Sequence, residues 1–146
     1  MNKRKTALEK EILSNRPVIT LTDGDSMEPL LFHHSSQIVI VKAKLPLKKG
    51  DLPLYKRPNG QFVLHRIVKV KGNDYYTRGD NRYAKEKVPS EWILGVVTEI
   101  YRKNRHIKVT DLSYRLYVKI WNVIFPLRYI IYRGRSFRRI WKKRIR

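Results

Sequence analysis

Along this chain the spacing of apolar residues changes twice. In residues 4–15, Ala7, Leu8, Ile12 and Leu13 fall on one side of a 3.6-residue repeat, which predicts a short helix ended by Pro17. From 17 to 110 the helical repeat gives way to alternation and β-branched runs, the signature of strands. Strands are predicted at 18–22, 37–43, 52–56, 61–71, 75–78, 92–102 and 106–110. Pro53 suggests an edge position for the third of these, because proline cannot donate to a ladder. Asn59-Gly60 marks a hairpin tip before the long strand 61–71. There Phe62, Leu64, Arg66, Val68 and Val70 should share one face, and Val63, His65, Ile67 and Lys69 the other. After residue 110 helical spacing returns in Leu112, Leu116, Ile120, Ile124, Leu127 and Ile131. The Asp111 carboxylate is the expected N-cap, and Pro126 the expected kink or break. The fold class expected is mainly β: a small antiparallel domain over 1–110 with a short N-terminal helix, joined to a helical extension over 111–146.

Charge sharpens that boundary. The 146 residues carry 33 Lys and Arg against 12 Asp and Glu, a net +21. Residues 111–146 hold eleven of the basic residues and a single acid, Asp111. Such an excess points to an anionic partner. The extension has three readings. It docks its apolar stripe on the β domain, or lies on an anionic membrane surface with Trp121, Phe137 and Trp141 at the interface, or binds nucleic acid phosphates. The stripe and the interleaved aromatics favour the first two. The most apolar stretch, 116–132, is interrupted by Lys119, Asn122, Pro126 and Arg128, so it falls short of the roughly 20 apolar residues that span a bilayer. The basic N-terminus leads into no apolar stretch of the signal-peptide kind. With no cysteine, disulfides, thiolate zinc sites, iron–sulfur clusters and a cysteine nucleophile are all excluded. His33 and His34 are adjacent and on a strand would face opposite ways; without a spaced carboxylate partner, no metal site is expected there, and no cofactor elsewhere.

The residues that suggest chemistry come in four ordered boxes: Gly24-Asp25-Ser26-Met27-Glu28-Pro29, Leu64-His65-Arg66-Ile67, Arg78-Gly79-Asp80-Asn81 and Ile93-Leu94-Gly95-Val96-Val97. A serine hydroxyl becomes a nucleophile only when a neighbouring base takes its proton. Gly24 permits a tight bend before Ser26 and Pro29 stiffens the chain after it, so that the hydroxyl and nearby backbone N–H groups can be presented together. From residue 23 to 97, about half of its length, the chain resembles the signal peptidase I clan, which includes the self-cleaving LexA and UmuD-type proteases. The resemblance implies a serine endopeptidase with Ser26 as nucleophile and the Ser26 backbone N–H at the oxyanion. Most members of that clan place a lysine where this chain has His65, which is similar to the endoplasmic-reticulum and archaeal branch. For the acid that orients the imidazole, Asp80 of the Gly-Asp-Asn box is preferred, with Glu86, six residues later, as its rival. Gly24 stands where many signal peptidases carry an oxyanion hydroxyl, and the membrane anchor usual in the family is not seen. The substrate implied is a leader or signal segment with small residues near the cut, bound extended along a strand edge. The location expected is cytoplasmic, peripheral to the membrane. Two other classes stand beside the enzyme: a LexA-like, DNA-linked regulator and an inactive peptide-binding module.

Overall fold

A computed structural model describes the backbone of residues 3–144 and the side chains of residues 7–134. The expected class holds: the molecule is mainly β, with antiparallel sheets, a short N-terminal helix and C-terminal helices. In chain order the elements are α1 (Lys3–Leu13), β1 (Val18–Leu21), β2 (Ser36–Lys42), β3 (Pro53–Lys56), β4 (Phe62–Leu64), β5 (Arg66–Lys71), β6 (Asp74–Arg78), β7 (Glu86–Pro89), β8 (Ile93–Arg102), β9 (Arg105–Lys108), α2 (Leu112–Val123) and α3 (Phe125–Arg144). The larger sheet runs β1-β2-β8-β3-β4, with β9 paired to β8; the smaller runs β5-β6-β7. One core lies between α1 and the larger sheet, around Ile12, Leu31, Ile38, Ile40, Leu52, Val97 and Ile100. A second, smaller core gathers Leu47, Tyr55, Val63, Ile67, Tyr75 and Val88.

Several local expectations are corrected. The long strand expected at 61–71 is two strands in two sheets, broken at His65. Its alternation therefore fails at the break, where Arg66 and Ile67 are both buried although they are consecutive. The third strand is not an edge: β3 lies between β8 and β4, and Pro53 is tolerated as its first residue. Strand β7 has no strong sequence pattern and was not expected; it is made by pairing with β6. Asp111 does sit at the N-cap of α2, but its carboxylate accepts the Lys108 N–H at 2.8 Å in place of a helix N–H. Pro126 falls in the first turn of α3, where its missing N–H costs nothing, and α2 gives way to α3 at Ile124.

The largest difference concerns which face of the extension is docked. The aliphatic stripe does not pack on the β domain. The aromatic face does: Tyr114 is buried, Tyr117 and Trp121 stack with centroids 5.7 Å apart, and the Arg78 guanidinium lies 3.3 Å from the Phe125 ring centre. Trp121 is thus engaged within the fold, and its Nε1–H donates to the Asp80 carbonyl at 3.0 Å. Phe137 and Trp141, the other two aromatics expected at an interface, lie outside the described side chains.

Candidate active site

The site is assembled by strand register. Strand β5 pairs with β6 so that Arg66 stands opposite Arg78. This sets His65, just before Arg66, beside Gly79, just after Arg78. A β-carbon at Gly79 would lie 3.2 Å from His65 Nε2 and only 2.5 Å from the Ser26 carbonyl oxygen. Only glycine fits there, and the imidazole and the Ser26 backbone press on the same point from two sides. The Gly-Asp-Asn box then clamps the Ser26 loop. Asn81 N–H donates to the Ser26 carbonyl at 2.8 Å, Asn81 Nδ2 to the Asp25 carbonyl at 3.2 Å, and Arg82 pairs with the Asp25 carboxylate at 2.5 Å. That pairing holds the Asp25 carboxyl below its ordinary range. Gly24 makes the bend before Ser26 at φ +83°, and its N–H donates to His33 Nδ1 at 2.8 Å. Among the described residues, neither the Ser26 hydroxyl nor the Ser26 N–H has a hydrogen-bond partner, and Ser26 is partly exposed.

Behind His65 lies a chain of polar groups that residue spacing alone does not reveal. In the β3–β4 ladder Tyr55 stands opposite Val63, diagonal to His65. The Tyr55 side chain is fully buried, with Oη 3.4 Å from His65 Nδ1 and 3.1 Å from Thr77 Oγ1, and it donates to Glu86 Oε2 at 2.7 Å. Thr77 faces Glu86 across β6 and β7, which brings the acid to this spot. Arg57 binds both Glu86 oxygens at 2.6 Å and keeps that carboxyl below its usual range. Because the Tyr55 proton goes to Glu86, Tyr55 Oη is left to accept from His65 Nδ1–H. The imidazole then presents a Nε2 lone pair towards the Ser26 side. Burial lowers the His65 pKa to about 4 against a partial pull upward from Glu86, so the ring is neutral at pH 7. Burial also raises the Tyr55 hydroxyl, which stays protonated. A strand tyrosine among apolar neighbours was the available signal, since a buried phenol needs a partner.

Asp80, the preferred expectation for the orienting acid, makes no hydrogen bond to His65 and is paired instead with Arg66. Its two oxygens take Arg66 Nε and Nη2 at 2.8 and 2.7 Å, in a pair almost wholly shielded from water. Tyr117 donates to the same carboxylate at 2.9 Å, while Trp121 and Arg128 donate to the Asp80 carbonyl at 3.0 and 2.9 Å. Burial opposes the Arg66 charge, yet Asp80 holds that guanidinium above its ordinary pKa. The rival, Glu86, is the acid connected to His65, through Tyr55.

A cleft of about 800 Å³ opens beside His65, lined also by Arg57, Arg82, Lys85, Glu86 and Tyr132. Away from it, Asp23, His33 and His34 form a cluster whose donor atoms lie within 4.8 Å of one another. The strand geometry that argued against a metal there does not hold. The two histidines occupy a turn, not a strand, and their rings stack at 3.7 Å. The carboxylate partner not expected from the sequence is Asp23, 3.3 Å from His33 Nδ1 and 3.5 Å from His34 Nε2; all three residues are exposed, and His33 Nδ1 also accepts the Gly24 N–H, which helps hold the bend before Ser26.

No protein-family model matches the chain, and no curated protein is significantly similar to it.

Proposed function

We propose that the protein is a serine endopeptidase resembling signal peptidase I, with Ser26 as nucleophile and His65 as general base. The observation that carries this reading is the joint packing of the Ser26 backbone and His65 Nε2 on Gly79, with Tyr55 and Glu86 behind the imidazole. Ser26 Oγ attacks the scissile carbonyl carbon as His65 Nε2 takes its proton, and the Ser26 N–H stabilises the oxyanion. His65 passes the proton to the leaving amine, leaving an ester on Ser26. Water, deprotonated in turn by His65, then releases the acid product. The Ser26–His65 hydrogen bond is open in the free protein, as catalytic contacts often are before substrate closes them. Tyr55 and Glu86 are positioning residues that hold the tautomer.

The substrate is an extended peptide, a leader or signal segment. Two strands with one free edge each lead into the site: β1 runs towards Ser26 and β4 ends at His65. In this reading the peptide pairs with one of these edges and brings its scissile carbonyl to Ser26. Cleavage of a leader-type peptide and labelling of Ser26 by a serine-reactive phosphonate test the reading. Ser26→Ala and His65→Ala should each abolish cleavage with the circular dichroism spectrum unchanged. Full activity in either variant overturns the assignment. Peptide binding without cleavage or labelling leaves a binding module in its place.

A further inference from the structure

We infer that the outward face of α2 and α3 is a docking surface for an anionic lipid bilayer. Leu112, Leu116, Ile120, Val123, Leu127 and Ile130 recur three or four residues apart and are 50–79% exposed. At about 100° per residue they form one stripe, on the side opposite the docked Tyr114, Tyr117, Trp121 and Phe125. Such an aliphatic stripe on a water-facing surface is a binding face. Its occupant is read from charge: residues 111–146 carry eleven basic side chains against Asp111, and Arg115, Lys119 and Arg133 are exposed in the two helices. A basic helix with an aliphatic face is the form that lies in the plane of an anionic membrane. A second copy of the chain fits poorly, because it would bring two such basic segments together. Nucleic acid fits less well too. Its binders set aromatics among their cations to stack on bases, whereas here the aromatics of α2 are turned into the fold, the exposed Tyr129 and Tyr132 of α3 pack on Tyr83, and the outward stripe is aliphatic. No described helix is long and apolar enough to cross a membrane, so the contact is one of lying on the surface.

The surface also bears on the cleft. Tyr132 of α3 lines it with His65 and Glu86, and stacks on Tyr83 of the same lining at 4.2 Å. Docking of α3 therefore holds the cleft close to the bilayer, where a leader segment that partitions into the interface would be found. That consequence rests on the peptidase reading; the docking surface does not.

The test uses the full chain with vesicles of neutral lipid alone and of neutral lipid mixed with an anionic phospholipid, read by sedimentation. Binding is expected to the mixed vesicles, with at least about tenfold weaker binding to neutral ones and partial release by salt. Leu116→Gln with Ile120→Gln replaces two exposed side chains, so circular dichroism should not change while vesicle affinity falls about a hundredfold. Failure of the full chain to bind anionic vesicles at low salt overturns the proposal. So does equal binding by the double variant, or displacement of the chain from vesicles by duplex DNA at stoichiometric amounts. A peptide tethered to the vesicles should be cut at least about tenfold faster than the same peptide free in solution, and the double variant should lose only that advantage. Vesicle binding with no cleavage of either peptide removes the peptidase reading and leaves the docking surface standing.

Discussion

Partial burial pushes the His65 pKa down to about 4, and this gives the residue scale its clearest predictions. The proposed chemistry needs the neutral ring. Activity should therefore persist below pH 6, where an ordinary histidine base is already charged, and fall as pH drops through about 4; a kcat/KM profile with a midpoint near 6.5 would contradict the buried base. The same depression bears on stability. The unfolded chain binds the proton near pH 6.5 and the folded chain only near 4, so stability is whole above 6.5 and erodes as pH falls between the two. The loss is roughly 3 kcal/mol, to be checked by urea melts at pH 7 and 4.5 against His65→Gln. The acids separate by the same logic. Tyr55→Phe and Glu86→Gln should lower kcat by about 10- to 100-fold and shift the pH profile, since both act on the imidazole. Asp80→Asn should instead act on stability, because its carboxylate holds Arg66. A profile shifted by Asp80→Asn and untouched by Glu86→Gln would return the orienting role to Asp80.

At the scale of elements, the break between β4 and β5 and the turn after β6 make the site. One residue, Gly79, marks how closely they meet. Gly79→Ala puts a methyl 2.5 Å from the Ser26 carbonyl oxygen, a backbone atom that has no free rotamer to move into. The Ser26 loop must shift, and on the proposed chemistry kcat/KM should fall about 100-fold. Stability should change by only about 1–3 kcal/mol, since overpacking is local. Comparison of activity with the denaturation midpoint separates the two effects. The joint between α2 and the sheets rests on a different principle. Arg66 is 1% exposed and has Asp80, Tyr114 and the Gly50 carbonyl as partners. Asp80→Ala leaves that guanidinium buried without its counter-charge, a loss of about 3–5 kcal/mol, measurable by chemical denaturation.

For the whole molecule, that ion pair ties the 111–146 segment to the sheets more closely than composition suggested. Tyr114 is a member of the main core, and Tyr117, Trp121 and Arg128 all reach the Asp80 loop. Truncation after residue 110 should therefore lower Tm by several degrees at least and speed proteolysis of the 79–85 loop, measured by calorimetry and limited digestion. A truncated chain with an unaltered Tm would show that the helices are passive. The net charge of +21 acts in the opposite sense, through self-repulsion. Moderate salt should raise Tm, as screening reaches these surface charges and leaves the buried Arg66–Asp80 pair nearly untouched.

Spacing and residue type were enough to determine the mainly β class, the helices at both ends and most strand positions, because those depend on local periodicity and turn chemistry. Ser26 and His65 became candidates by another route, through ordered boxes that resemble those of the signal peptidase I clan, which local periodicity alone does not supply. Local signals did not reach the partition of 61–71 between two sheets, the central place of β3, or the strand β7, all of which exist through pairing with distant segments. The acid behind His65 was a matter of register. Glu86 stands across from Thr77 and reaches the ring through Tyr55, whereas Asp80, nearer the histidine in sequence, turns to Arg66 and to helices that begin over thirty residues later. The extension shows the same limit. Its sequence carries an aliphatic and an aromatic face, and only the tertiary contacts decided which turns in: the Asp80 carboxylate accepts from Tyr117, the Asp80 carbonyl from Trp121 and Arg128, and the Tyr114 hydroxyl from Arg66, so the aromatic face docks and the aliphatic one faces out.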